Sequence, residues 1–223
     1  MSLSRKLLAE ALGTGFLLMT IVGSGVMGDA LANGQPGDTL TPHAIVIGAM
    51  LFVLITLFGP VSGAHFNPAV TLVFCLRGDL PKAEALRYIA TQIAAGIAGV
   101  MLVHLMFDTE ILQSSAKART GPGQWLAEVI ATTGLVMVIL GGLRVNAALI
   151  PALVGLYIMA ALWFTASTSF ANPAVTIARM LTDTFSGIAP QHAPAFIAAQ
   201  IIGALFGWGL ASLVWKEDLS PGE

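Results

Sequence analysis

The chain has 223 residues, of which 56% are hydrophobic and 10% are charged, and its formal net charge is −2. A soluble domain carries about 25% charged residues, so this composition excludes an ordinary soluble protein and indicates a polytopic membrane protein. The charge offers no basic surface for nucleic acid, and the single Cys75 excludes an intrachain disulfide and a multi-cysteine metal site.

Six apolar segments are long enough to cross a membrane, since about 20 residues span a ~30 Å hydrocarbon core. We predict that all are helices, because lipid leaves no partner for exposed backbone groups. In chain order they are 7–27, 43–60, 83–107, 124–143, 146–165 and 194–215. The first resembles a signal peptide, but it is too long for one and carries Glu10, so we expect it to be retained. NGQPG at 33–37 predicts the loop that follows.

Two copies of one short sequence motif lie inside runs without charged residues, HFNPAVT at 65–71 and FANPAVT at 170–176. Each predicts a helix start, with Asn67 or Asn172 as the N-cap and proline at the first helical position. The runs 39–76 and 145–178 are 38 and 34 residues long, so each holds one crossing plus a half-length piece. We therefore predict two re-entrant half-helices, the first at 68–76, each covering about half of the core.

The two halves of the chain match each other. LAE at 8–10 matches LAE at 126–128, and IATQI at 89–93 matches IAAQI at 197–201. The two Asn-Pro-Ala motifs lie 105 residues apart. The matches indicate a duplication within one channel domain at 1–223, with the first repeat at 1–112 and the second at 120–223. Because each half holds three crossings, the second starts on the opposite side of the membrane, which makes an inverted repeat.

Lysine and arginine predict the orientation. With both termini in the cytoplasm, seven basic residues face inward and three face outward, which follows the positive-inside rule. The seven are Arg5, Lys6, Arg77, Lys82, Arg87, Arg144 and Lys216, and the three are Lys117, Arg119 and Arg179.

Half-helices that meet with their N-termini at the midplane imply a water-lined path, because irregular backbone at that depth is tolerated only inside protein or beside water. Each N-terminus carries about half a positive charge, and Asn67 and Asn172 add amide donors that face the lumen. Water accepts these donors through its oxygen, which interrupts the water chain that proton hopping needs and repels cations. Carbonyls of the re-entrant segments are expected to form a ladder of acceptors for small hydroxylated solutes, at Gly63, Ala64, His65, Thr168, Ser169 and Phe170.

Along its whole length the chain resembles the aquaporin (major intrinsic protein) family, through the paired Asn-Pro-Ala boxes, SGAHFNPAVT at 62–71 and the two Ala-Glu-x-x-x-Thr openings. The resemblance implies an all-α membrane fold, with an aquaporin-like bundle of six transmembrane helices and two half-helices. It also implies a homotetramer in lipid, one pore per subunit, passive two-way conduction and no cofactor. Glu10 and Glu128 are either proton relays or structural pins for the re-entrant loops; we favour pins, because the donor barrier makes a relay pointless. For His65, loop orientation and solute contact both stay open.

The family's selectivity filter uses four positions, which spacing from the Asn-Pro-Ala boxes places at Ile47, Ala160, Ser169 and Val175. Most relatives carry arginine where this chain has Val175, and water-selective members carry an aromatic residue and histidine at the first two positions. We expect a wider, mostly apolar filter that admits bulkier neutral solutes. Such a filter is similar to that of bacterial aquaporins associated with arsenic resistance. The resemblance implies arsenite or methylated arsenicals as solutes besides water, with polyols such as glycerol as the alternative, and a bacterial inner-membrane location.

Arg179 follows Val175 by four residues and shares its side of a helix. It either lines the outer vestibule as a displaced cation or extends to the membrane interface at the end of the half-helix. An ion-coupled secondary transporter is the rival of another class, because inverted repeats with broken helices serve transporters too. A third hypothesis is a structural membrane protein whose pore is closed. The sequence shows no nucleophile–base pair, metal cluster or phosphate loop, so we do not expect an enzyme.

Overall fold

The computed structural model describes residues 1–32 and 36–215. Its α-helices are α1 (Leu3–Leu31), α2 (Pro36–Ser62), α3 (Pro68–Leu76), α4 (Lys82–Met106), α5 (Pro122–Val145), α6 (Ile150–Phe164), α7 (Pro173–Arg179) and α8 (Ala193–Val214). Six helical stretches are long and apolar enough to cross a membrane, and the described residues contain no strand. The prediction of an all-α membrane fold with six spans is confirmed.

The half-helices begin where the two Asn-Pro-Ala motifs predict them. α3 has nine residues with the predicted bounds, and α7 has seven. The spans match within a few residues, except that α1 and α2 extend further toward each other. Of the predicted loop at 33–37, residues 33–35 lie outside the described residues, whereas Pro36 and Gly37 already belong to α2. Lys216 also lies outside the described residues.

Small residues let the long helices pack closely in matching pairs. α1 packs on α4 in the first half, and α5 packs on α8 in the second. A Cβ atom at Gly99 would lie 2.6 Å from the carbonyl oxygen of Gly15, and one at Gly207 would lie 2.5 Å from that of Thr133. Real Cβ atoms do not approach that closely, so glycine is required at both crossings. This backbone-to-backbone packing is typical of membrane helices.

The N-termini of α3 and α7 meet inside the bundle. At the start of α3 the side-chain oxygen of Asn67 accepts the backbone N–H of Ala69 at 2.9 Å. At the start of α7 the oxygen of Asn172 accepts the N–H of Ala174 at 2.9 Å. Each asparagine is thus an N-cap that satisfies a backbone donor at the helix start, where no carbonyl of the helix itself is available.

Candidate functional site

The two asparagines join the re-entrant segments across the centre of the bundle. The amide nitrogen of Asn67 donates to the carbonyl of Ala171 at 2.7 Å, and that of Asn172 donates to the carbonyl of Phe66 at 2.8 Å. Both asparagines are buried. An amide has two N–H groups, so each crossing bond uses one of them. The second N–H of each amide has no protein partner among the described residues. Asn172 lines the central cavity, whereas Asn67 is not among its lining residues, so the lumen donor role remains a prediction.

The backbone of the two re-entrant segments is unusual in the same way. Gly63, Ala64 and Phe66 have φ angles of 90°, 51° and 47°, in or near the left-handed region. The residues 105 positions later, Thr168, Ser169 and Ala171, have φ angles of 60°, 48° and 46°. Side chains with a Cβ rarely adopt this conformation, and such strain persists only where surrounding contacts hold it. All six residues of the proposed carbonyl ladder line the central cavity.

Glu10 holds the first re-entrant segment through a set of donors. One carboxylate oxygen accepts the hydroxyl of Ser62 at 2.7 Å and the backbone N–H of His65 at 3.0 Å. The other accepts the N–H of Phe66 and the side-chain amide of Gln92, both at 2.8 Å. Glu10 is completely buried. This geometry supports the pin interpretation, because the carboxylate is surrounded by donors that fix the loop.

Glu128 holds the second segment in the corresponding way. Its oxygens accept the backbone N–H groups of Phe170 and Ala171, each at 2.9 Å, and the amide of Gln200 at 2.6 Å. Glu128 is also completely buried. Buried groups with this many charge-assisted hydrogen bonds rigidify their surroundings.

A cavity of about 90 Å³ runs between the half-helices. A water molecule needs roughly 10–15 Å³ of such space, so the cavity has room for several waters. Its helical walls are apolar, because four of the long helices, α1, α2, α5 and α6, present apolar residues spaced by four, which share one face. These residues are Leu17 and Ile21 on α1, Ile47, Leu51 and Ile55 on α2, Leu135 and Ile139 on α5, and Ile150, Val154, Ile158 and Leu162 on α6. The described residues contain no group of three or more His, Cys, Asp or Glu side chains that could hold a metal ion.

Three of the four predicted filter residues line this cavity: Ile47, Ser169 and Val175. All three are buried. The hydroxyl oxygen of Ser169 is buried with no hydrogen-bond partner among the described residues, so its hydrogen-bonding capacity is unused.

The placement of Ala160 in the filter is wrong. Ala160 is exposed on the outside of α6, whereas Ile158 and Leu162 line the cavity. Two residues along a helix correspond to a rotation of about 200°, so Ala160 faces away from the residues on either side of it. The twelve-residue spacing fails because α6 ends at Phe164 and an irregular segment separates it from Asn172.

Arg179 lies in the cavity wall at one end of the pore. It is 3% exposed, its Nε donates to the carbonyl of Ser186, and its guanidinium carbon lies 3.4 Å from the centre of the Phe170 ring. This burial excludes the alternative of an arginine that extends to the membrane interface. We call this end of the cavity the Arg179 end.

A second arginine that the sequence did not single out for the site, Arg119, approaches the same ring from the loop between α4 and α5. Its guanidinium carbon lies 5.0 Å from the Phe170 ring centre. Its nitrogens donate to the carbonyls of Gly187 at 2.8 Å and of Ser167 and Phe185, both at 3.3 Å. Burial lowers the pKa of Arg119 to about 10. The sequence carries no local signal for this contact, because it depends on where two distant loops meet.

Lys117 adds a third cation beside the two arginines. Its ammonium group donates to the carbonyl of Phe185 at 2.7 Å and lies 4.6 Å from the centre of that ring. Burial, together with the charges of Arg119 and Arg179, lowers the pKa of Lys117 to about 8. Three cations therefore lie near one another at the Arg179 end, where the charges of Asp29 and Asp183 also act on Lys117.

The opposite end, which we call the His65 end, is aromatic. His65 lines the cavity, and its ring lies 4.6 Å from that of Phe74 and 5.5 Å from that of Tyr88, centre to centre. Its Nδ1 is 3.1 Å from the hydroxyl of Thr71. Both roles considered for His65 thus have a structural basis: one ring nitrogen is held in place, and the ring reaches the lumen.

Comparison with known proteins is consistent with this geometry. Residues 1–166 match the family described as "Major intrinsic protein". Aquaglyceroporin AqpS of Rhizobium meliloti is 53% identical over 213 residues, which cover 96% of this chain and 90% of that protein. Aquaporin Z of Brucella melitensis is 27% identical, with 95% and 96% covered. The X-ray structure of the aquaglyceroporin from Plasmodium falciparum has the same fold, with a TM-score of 0.73 at 20% identity and with 96% and 98% covered.

Proposed function

Because the chain belongs to the major intrinsic protein family, a family of channels for water and small solutes, we propose that it is a passive channel with an arginine-less filter at Val175. The filter admits small, largely neutral solutes that are bulkier than water. The single observation that carries the proposal is the cavity between the half-helices, whose wall holds Val175 and Ile47 where a narrow filter would need a cation and an aromatic ring.

Arsenite and methylated arsenicals are the best candidates for the solute, with water passing as well. Arsenite is a neutral trihydroxide at neutral pH, so it offers donors to the proposed ladder of carbonyls. Its remaining surface, or the methyl group of a methylated arsenical, would face the apolar side chains of the helices. Glycerol and other polyols are the alternative, since they combine hydroxyl groups with an apolar backbone. The relative that is 53% identical is named an aquaglyceroporin, which supports small hydroxylated solutes.

Substitution of Val175 by arginine tests the position of the filter. In liposomes, Val175→Arg should keep water flux and lower the flux of glycerol, arsenite and methylarsenate by at least about tenfold, because a guanidinium narrows the path. Val175→Ala is the matched control, since it changes the same position without adding bulk or charge, and it should pass all four solutes. If Val175→Arg leaves the larger solutes unaffected, the filter lies elsewhere.

The same assay separates a channel from its rivals. A channel gives flux that rises linearly with the solute gradient and ignores ion gradients, whereas a secondary transporter saturates and follows a coupling ion. A closed-pore structural protein gives no flux.

We further propose a homotetramer in the lipid bilayer, with both termini in the cytoplasm, so that the Arg179 end faces outward. The mass of the detergent-solubilised complex tests the tetramer. Labelling of a cysteine introduced at the exposed Thr109 in intact cells tests the orientation, and protection of that site from a membrane-impermeant reagent would contradict it.

A further inference from the structure

The family's filter arginine is missing at Val175, yet the cavity is not without a fixed cation. Arg179 lies four residues further along the same half-helix, which is roughly 6 Å along the axis and on nearly the same face. It lines the same cavity as Val175 and is 3% exposed. A buried guanidinium that faces a solute path needs an explanation, because burial of an unpaired charge is costly.

The hydrogen bonds of Arg179 leave most of its donors to the cavity. Among the described residues the only hydrogen bond of its side chain runs from Nε to the carbonyl of Ser186. Its two terminal nitrogens have no protein partner there, and no carboxylate of the described chain forms an ion pair with it. The guanidinium is instead held flat against the Phe170 ring at 3.4 Å, a cation–π contact that fixes its plane without using its N–H groups.

Arg119 differs from Arg179 in this respect. Its Nε, Nη1 and Nη2 all donate to protein oxygens, namely the carbonyls of Gly187, Ser167 and Phe185, and it does not line the cavity. It ties the loop that carries it to the re-entrant segment and supports the Phe170 ring. Arg119 therefore acts as a positioning residue, whereas Arg179 is the one with donors to offer.

A second unused polar group lies in the same wall. Ser169 is 5% exposed and lines the cavity, and its buried hydroxyl oxygen has no hydrogen-bond partner among the described residues. The serine and the guanidinium together offer donors for an oxygen atom, next to the apolar side chains of the long helices.

We propose that Arg179 and Ser169 form an oxygen-binding subsite beyond Val175, in which the Arg179 guanidinium replaces the missing filter cation. The subsite binds hydroxyl or oxo groups of a neutral or partly negative solute and excludes cations. The proposal rests on the proposed channel function and adds to it the residues that set selectivity. The proposal also explains how a wide filter can still carry a positive charge. The cation lies one helical turn away from Val175 and the other apolar filter residues instead of among them.

Removal of the Arg179 charge tests the subsite. In liposomes, Arg179→Gln should raise the leak of sodium ions and protons by at least about tenfold, because a unit charge within several ångström of the path repels a cation strongly at an effective dielectric constant of ~20. Water flux should remain. Arg77→Gln is the matched control, since Arg77 caps the other half-helix, is exposed and pairs with Asp79 at 2.8 Å; its cation leak should equal that of the wild type.

A double variant distinguishes lost charge from general damage. Val175→Arg combined with Arg179→Gln moves the cation back by one turn, so it should restore cation exclusion and lower glycerol flux. If Arg179→Gln does not fold, Arg179→Lys decides: it keeps the charge without the planar fork, so it should exclude cations while the flux ratio of glycerol to water shifts. Unchanged cation leak in Arg179→Gln, or an unchanged ratio in Arg179→Lys, overturns the proposal. If the wild type conducts neither water nor glycerol, the channel function itself has failed.

Discussion

The two re-entrant segments, 62–67 and 167–172, share a backbone but differ in their side chains. In both, the residues at matching positions have positive φ angles, and a buried glutamate accepts the backbone N–H groups that precede the asparagine. The first segment then presents His65 among aromatic rings, whereas the second presents Phe170 between two arginines. The two segments therefore share their backbone support but differ in the side chains that line the cavity.

This difference gives the pore two unlike ends. At the His65 end the ring contacts Phe74, Tyr88 and the Thr71 hydroxyl, and the guanidinium carbon of Arg77 lies 5.6 Å from the centre of the Phe74 ring. At the Arg179 end the loops at 107–121 and 180–189 fold together and bring three cations to one place. Two re-entrant segments with the same backbone thus have different electrostatic surroundings, which a channel can use to select at one end only.

The largest effect on stability should come from the two buried glutamates, Glu10 and Glu128, which hold the re-entrant segments. Glu10→Gln and Glu128→Gln each set an amide N–H₂ against backbone donors, so each should lower the free energy of unfolding by about 2–4 kcal/mol, because each buried donor left without a partner costs about 1–3 kcal/mol. Unfolding of the detergent-solubilised protein measures this. Glu84→Gln is the control, because Glu84 forms a partly exposed ion pair with Lys6 at 3.1 Å and such pairs contribute ~0–1 kcal/mol. If only one of the two substitutions lowers the free energy of unfolding, the view that both re-entrant segments are supported in the same way is contradicted.

Exchange of the two lining residues should have a smaller effect that differs between the ends. Phe170→His removes the ring on which two guanidinium groups rest, which should cost about 2 kcal/mol and raise the cation leak. His65→Phe loses a bond to Thr71, worth about 1 kcal/mol, and should leave the leak unchanged. Unfolding and sodium flux measure both. If His65→Phe raises the leak as much as Phe170→His, selection against cations is not confined to the Arg179 end.

The smallest effect should follow pH at the Arg179 end. The pKa of Lys117 is lowered to about 8, chiefly by burial and further by the charges of Arg119 and Arg179, while Asp29 and Asp183 act in the opposite direction. Lys117 is charged below that pH and neutral above it. Between about pH 7 and about pH 9 the sodium leak should therefore rise by about twofold, since a half-exposed charge is partly screened. Lys117→Met should show no such step, and an identical pH profile in the two proteins would contradict the assignment.

The half-helices could be predicted because their signals are local. Asparagine as N-cap and proline at the first helical position determine where α3 and α7 begin, and the charge-free runs around them leave room for half a crossing. The matched glutamates could be predicted in the same way, since a carboxylate inside an apolar span demands donors. The contacts of Glu10 and Glu128 with the re-entrant backbone agree with that expectation.

Positions that depend on long-range geometry could not be predicted. Ala160 was misplaced because helical periodicity does not extend across the irregular residues between α6 and Asn172. Arg119 was missed as a site residue because its loop is held by contacts with a distant segment, such as the bond from the N–H of Ala116 to the carboxylate of Asp183 at 2.9 Å. Sequence alone gives the charge of such a residue but not the ring against which it packs.

The most direct test of conduction through the cavity is a pair of tryptophan substitutions on α6. Ile158 lines the cavity, whereas Ala160, two residues later, is exposed on the opposite side. Liposomes that contain Ile158→Trp should lose water and glycerol flux by at least about tenfold, because the ring fills the path, and those with Ala160→Trp should conduct like the wild type. Wild-type flux through Ile158→Trp, or an equal loss in both variants, would contradict a path between the half-helices.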